Sequence, residues 1–131
     1  MWIMTRHGFF TLHVAKKPDE VIVTSRLKAD LKNQFGPAII AYGEKIYRVA
    51  CRDFAYRTYL PRKVVADVIS QAVADISYDH LKDQVTGMEL KELCQDIWYA
   101  GLKAQTDEQG RMSNDVKLWV DREGVSNDKL P

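Results

Sequence analysis

The residues with the greatest chemical capacity lie between positions 45 and 63. Six cations, Lys45, Arg48, Arg52, Arg57, Arg62 and Lys63, face one carboxylate there, Asp53, and Tyr47, Phe54, Tyr56 and Tyr59 are interleaved with them. Guanidinium forks make paired hydrogen bonds to phosphate or carboxylate, and aromatic rings stack on bases or anchor protein interfaces. The pattern therefore predicts a partner-binding surface. Arg48, Arg52 and Arg57, with Arg62 and Lys63 beside them, supply charge-assisted contacts, and Tyr56 and Tyr59 serve as anchors. The plainer alternative is a solvated strand edge whose tyrosines belong to the core.

Other chemistries find less support. Asp79-His80-x-x-Asp83 has helical spacing, and His13 could join it, but H-E-x-x-H and paired C-x-x-C motifs are absent. A small metal-dependent nuclease or phosphodiesterase built on His13, Asp79, His80 and Asp83 is the enzymatic alternative. Pro18-Asp19 followed by Asp30-Leu31-Lys32 imitates a nuclease pattern, but the first pair reads as a turn and the triplet as helix, whereas that chemistry needs them on adjacent strands around a metal. Cys51 and Cys94 read as small core hydrophobes rather than nucleophiles. G-x-S-x-G, P-loop and G-x-G-x-x-G motifs are missing. No catalytic residue, no metal ligand and no cofactor is expected.

Composition sets the outer bounds. The 131 residues carry a net charge of +1, which removes bulk basicity as an argument for nucleic acid. Positions 75–96 carry six acids against Lys82 and Lys91, so the molecule is dipolar, and long duplexes are poor partners. No apolar run reaches the roughly 18 residues that cross a bilayer, and the opening residues lack a secretory leader. Two cysteines are too few for a disulfide framework, so a cytoplasmic location without membrane contact is expected.

The elements that must position these residues follow from periodicity. Trp2–Met4 and Phe9–Ala15 read as a hairpin around Arg6-His7-Gly8, with Phe10, Leu12 and Val14 on one face and Phe9, Thr11 and His13 on the other. Val21–Thr24 returns antiparallel to them. Leu27, Leu31 and Phe35 mark a short helix, capped by Thr24 or Ser25 and ended by Gly36-Pro37. A second hairpin follows, with Ala38–Ala41 as one strand and Lys45–Arg52 as the other. Its parity puts Tyr47, Val49 and Cys51 on one face and Arg48 and Arg52 on the other. Phe54–Leu60 reads as irregular. A helix beginning at Pro61 carries the stripe Val65, Val68, Ile69, Ala72, Val73 and Ile76. Thr86-Gly87-Met88-Glu89 opens a third helix through a capping box, with Leu90, Leu93, Ile97, Ala100 and Ala104 inward.

The order predicts an α+β two-layer sandwich: an antiparallel sheet of four or five strands with three helices mainly on one face. Residues 1–105 form the domain, and 106–131 form an extension, either an edge strand at Val116–Val120 or a flexible tail. The helices cover one sheet face. The other carries Phe9, Thr11 and His13 with Arg48 and Arg52, and is the expected working surface.

Met1-Trp2-Ile3-Met4-Thr5-x-x-Gly8-Phe9-Phe10 resembles the opening of a group of small bacterial and phage-associated proteins of unknown function. The likeness continues through Tyr47-Arg48-Val49, Ile76-Ser77-Tyr78-x-x-Leu81-Lys82-Asp83 and the helix of Ile97-Trp98, over positions 1–104. It implies a mobile-element setting, in which small proteins bind and block a host machine, as anti-CRISPR-like inhibitors of nuclease-based defence do. The expected partner is a protein or nucleoprotein complex. A nucleotide or nucleic acid is the alternative ligand, and pairing of two sheet faces in a homo-oligomer is a third reading.

Overall fold

The computed structural model describes residues 1–111, and side chains through residue 106. Two compact units are distinguished, residues 1–91 and residues from 92 onward. The first contains an antiparallel five-stranded sheet and two helices. Its strands are β1 (Trp2–Thr5), β2 (Gly8–Val14), β3 (Glu20–Ser25), β4 (Tyr47–Arg48) and β5 (Tyr56–Pro61), in the order β1-β2-β3-β5-β4. Helix α1 is Lys28–Ala41, α2 is Arg62–Ala74, and a 3-10 turn spans Leu81–Asp83. Helix α3, Met88–Arg111, begins in the first unit, and its remaining turns belong to the second. The fold is α+β, as expected.

Alternation decides which side of the sheet is dry. Phe10 pairs with Ser25, Leu12 with Val23 and Val14 with Val21, while Val21 pairs with Leu60 and Val23 with Thr58. Residues directly opposite share a face, so this parity forms one surface. Helices α1 and α2 pack on it, and Phe10, Val21, Val23 and Leu60 join Leu31, Phe35, Ile39 and Val65 in the core. Phe10 and Phe35 meet edge to face with centroids 5.3 Å apart.

Helix α1 runs through Gly36-Pro37, contrary to the expected break. Leu31, Phe35 and Ile39 recur every four residues and all are buried. Burial of Ile39 extends the apolar stripe past a proline whose missing N–H disfavours helix continuation. The terminator is Gly43, at φ +62°, where the N–H of Tyr42 meets the Ala38 carbonyl and that of Glu44 meets the Ile39 carbonyl. Residues 38–41 are therefore helix, not strand. Leu27, rather than Thr24 or Ser25, occupies the N-cap position, without a side-chain cap bond. Ser25 Oγ instead accepts the Leu27 N–H at 3.3 Å and donates to Asp30 Oδ2 at 3.1 Å.

The segment expected to be irregular, Phe54–Leu60, supplies β5 in the body of the sheet. The strand expected at Lys45–Arg52 shrinks to the two residues of β4 at one rim, while the other rim is the four-residue β1. Helix α2 carries the expected stripe from Val65 to Val73 but ends at Ala74, so Ile76 lies beyond it, and Val73 and Ile76 are exposed. Helix α3 continues beyond Thr106 to Arg111, and the Val116–Val120 island lies outside the described residues. Cys51 is exposed, which corrects its reading as a core residue. Cys94 is buried, and desolvation raises its thiol pKa.

Candidate binding surface

The second parity of the sheet collects Trp2 and Met4 from β1, Phe9, Thr11 and His13 from β2, Glu20, Ile22 and Thr24 from β3, Arg57 and Tyr59 from β5, and Tyr47 from β4. The helices that contact the sheet, α1 and α2, lie on the opposite side with Phe10. Glu20, paired with Pro61 at one end, is the lone carboxylate of this parity within the paired strands.

Rows run across the strands. One aligns Trp2, Thr11, Thr24, Arg57 and Tyr47, and the next aligns His13, Ile22 and Tyr59. Trp2, 74% exposed, meets Phe9 edge-on with centroids 5.5 Å apart. Phe9 lies 5.8 Å from Phe54, which the chain following β4 brings over the end of the sheet. The Arg26 guanidinium carbon is 5.0 Å from the centre of the Phe54 ring, a cation–π contact. At the other rim Tyr47 and Tyr59 are 5.9 Å apart, also edge to face. Between these ring groups, Thr11 and Thr24 share a 2.6 Å hydroxyl hydrogen bond.

Arg57 stands on β5, one strand in from the β4 rim. Its Nε is buried and has no hydrogen-bond partner among the described residues. A buried donor left unpaired costs about 1–3 kcal/mol, and no acceptor among the described residues holds this guanidinium through Nε. Its charge also depresses the pKa of His13, after desolvation, the larger cause, and together with the amino terminus. Tyr47 hydroxyl donates to Glu44 at 2.9 Å, and this bond, with the nearby negative charge, raises the phenol pKa.

The expected site residues divide. Arg57 and Tyr59 lie on the open face. Arg48 does not: it pairs with Tyr56, on the parity of Ser25 and Phe10, and projects exposed from the rim on the helix side. Tyr56 is half-buried and packs against the core, on the helix side of the sheet. Arg52 is exposed in the chain between β4 and β5, outside any strand, and Arg62 and Lys63 open α2 in the helical layer. For Arg48 the cause is parity. A one-residue change in strand register reverses every side chain, and Tyr47, rather than Arg48, is the β4 residue opposite Arg57. Sequence reasoning missed Arg26, Trp2 and Phe54 as members of the surface. The Trp2 parity was readable from the first hairpin.

A cavity of about 350 Å³ opens elsewhere, between the β1–β2 turn and helices α1 and α2, with Arg6, His7, Gln34, Ala72 and Asp75 among its lining. Its polar groups largely satisfy one another. Thr5 hydroxyl donates to Gln34 at 2.6 Å and accepts the His7 N–H, Arg6 Nε donates to His7 Nε2 at 3.4 Å, and Gln71 donates to Asp75 at 2.8 Å. Burial, then the Arg6 charge, lower the His7 pKa.

Among the described residues no group of three or more His, Cys, Asp or Glu side chains is placed to hold a metal ion. His13 sits on the sheet, and Asp79, His80 and Asp83 are exposed around the 3-10 turn. No described helix is long and apolar enough to cross a membrane. No protein-family model, curated protein or solved structure matches the chain.

Proposed function

We propose that this chain is a noncatalytic binding protein whose working surface is the open face of its sheet. The observation that carries the reading is the concentration of Trp2, Phe9, Phe54, Tyr59 and Tyr47 with Arg26 and Arg57 on the side away from α1 and α2. Such a face recognises a partner that joins negative charge to flat or apolar groups. In the mobile-element setting implied by the opening motif, that partner is a protein or nucleoprotein complex of the host, and binding blocks a nuclease-based defence. The motif supports the setting, and the geometry supports the surface. The nuclease alternative gains nothing from the positions of His13, Asp79, His80 and Asp83.

Two charge-reversal variants test the surface. Changing Arg26 and Arg57 to Glu should abolish capture of the partner from host extract while the circular dichroism spectrum stays native. Changing Arg48, Arg52, Arg62 and Lys63 to Glu should leave most capture intact. Loss confined to the second variant would move the site to the rim and helical layer. Undiminished capture by both would refute an Arg-dependent surface.

A further inference from the structure

We infer that the open sheet face binds single-stranded nucleic acid, with bases against its rings and phosphates at Arg26 and Arg57. The inference rests on the binding reading above and names the ligand chemistry.

Two observations favour this ligand over a folded acidic protein. The first is the placement of the rings. Adjacent strands are about 4.8 Å apart, so the path from β1 to β4 across four strand intervals is about 19 Å, long enough for several nucleotides. Trp2, Phe9 and Phe54 occupy its first part, and Tyr59 and Tyr47 its last, with centroids 5.5–5.9 Å apart within each group. Every base has a π-face, so a line of rings suits a base-bearing strand of any sequence.

The second observation is charge. Arg26 stands over Phe54, at the Phe9 end, and Arg57 stands beside Tyr47 and Tyr59, at the β4 end. Each of the two ring groups therefore has a cation beside it, which suits a strand that carries both phosphate and base. Glu20 lies at the end of the sheet away from Phe9 and Phe54. A duplex is a poor fit, because its bases are stacked within the helix and cannot lie on these rings.

Fluorescence anisotropy with labelled dT12 and U12 tests the inference on the full chain, with a duplex of equal length as control. Saturable binding of single strands is expected with a dissociation constant of about 10⁻⁶–10⁻⁴ M, weakening as salt rises. Trp2→Ala and Phe9→Ala should each weaken binding about five- to one-hundred-fold with an unchanged salt slope, because they remove stacking. Arg57→Gln should reduce the magnitude of the slope by about 0.7, the share of one phosphate contact on a single strand. Equal affinity for the two probes would assign recognition to base and phosphate, and preference for U12 would add the 2′-hydroxyl. Absence of saturable binding, equally tight duplex binding, or ring variants that bind like the parent would overturn the inference. If no oligonucleotide binds yet Arg26 and Arg57 remain necessary for capture of a host protein, the nucleic-acid inference falls and the binding reading survives. If capture also ignores those arginines, both fall.

Discussion

Asp30 occupies the space that a side chain on Gly8 would need: a β-carbon built on Gly8 would lie 2.5 Å from both Cβ and Cγ of Asp30. The relationship joins the start of β2 to the first turn of α1. Asp30 is only 7% exposed, and its carboxylate accepts the Ser25 hydroxyl and the Phe9 backbone N–H. Burial raises its pKa, and these two hydrogen bonds pull it partly back. The hairpin that carries Trp2 and Phe9 is thus held to the helical layer by a polar contact under the sheet.

Gly8→Ala should destabilise the protein by about 1–3 kcal/mol, because the contact is with the base of the Asp30 side chain and the backbone must move. A fall in the urea midpoint with an unchanged slope is the expected signature. Stability equal to the parent would show that the hairpin and α1 separate without cost.

Thr58 offers the opposite outcome. It is fully buried, and its hydroxyl has no hydrogen-bond partner among the described residues. Thr58→Val preserves the branched shape and removes the unpaired group, so thermal unfolding should occur at higher temperature, by a stabilisation of about 1 kcal/mol. A lower midpoint would mean that the hydroxyl has a partner in solution.

Two glycines near the end of α1 should respond with opposite signs. Gly36 lies within the helix, with no atom within 4 Å of an added β-carbon, so Gly36→Ala should stabilise by about 0.5–1 kcal/mol. Gly43 has φ +62°, and Gly43→Ala should cost about 1–2 kcal/mol. Denaturant titration of the pair checks the helix boundary directly. A stabilising Gly36→Ala excludes a helix that stops at Gly36.

Acid should weaken the fold through His7 and His13. Their folded pKa values lie below the ordinary 6.5, chiefly because burial disfavours the charged ring, with Arg6 acting at His7 and Arg57 at His13. The unfolded chain therefore binds these protons more readily. Their contribution to stability is full above about pH 6.5 and is lost as pH falls through the folded values. Urea midpoints measured from pH 8 to pH 5 should decline less in a His7→Asn, His13→Asn double variant than in the parent. An equal decline would assign acid sensitivity to other groups.

Local patterns made much of the sheet legible. Phe10, Leu12 and Val14 alternate cleanly with Phe9, Thr11 and His13, and Val21 and Val23 supply the matching apolar parity. Those residues suffice for the first hairpin, its third strand and the identity of the open face. β5 carries the same alternation, Thr58 and Leu60 against Arg57 and Tyr59, but its partner is β3, more than thirty residues earlier. That pairing is a tertiary fact. Arg48 was misplaced for the same reason, since its parity depends on which β5 residue it faces. In α1, local chemistry at Gly36-Pro37 argued for an end, and the buried position of Ile39 overruled it.

The sheet's two rims, β1 and the dipeptide β4, give neighbouring molecules little ladder to extend. Edge-to-edge polymerisation is the usual hazard of open antiparallel layers. Here those brief margins favour discrete particles over fibrils at high concentration, even with greasy rings displayed on the broad side.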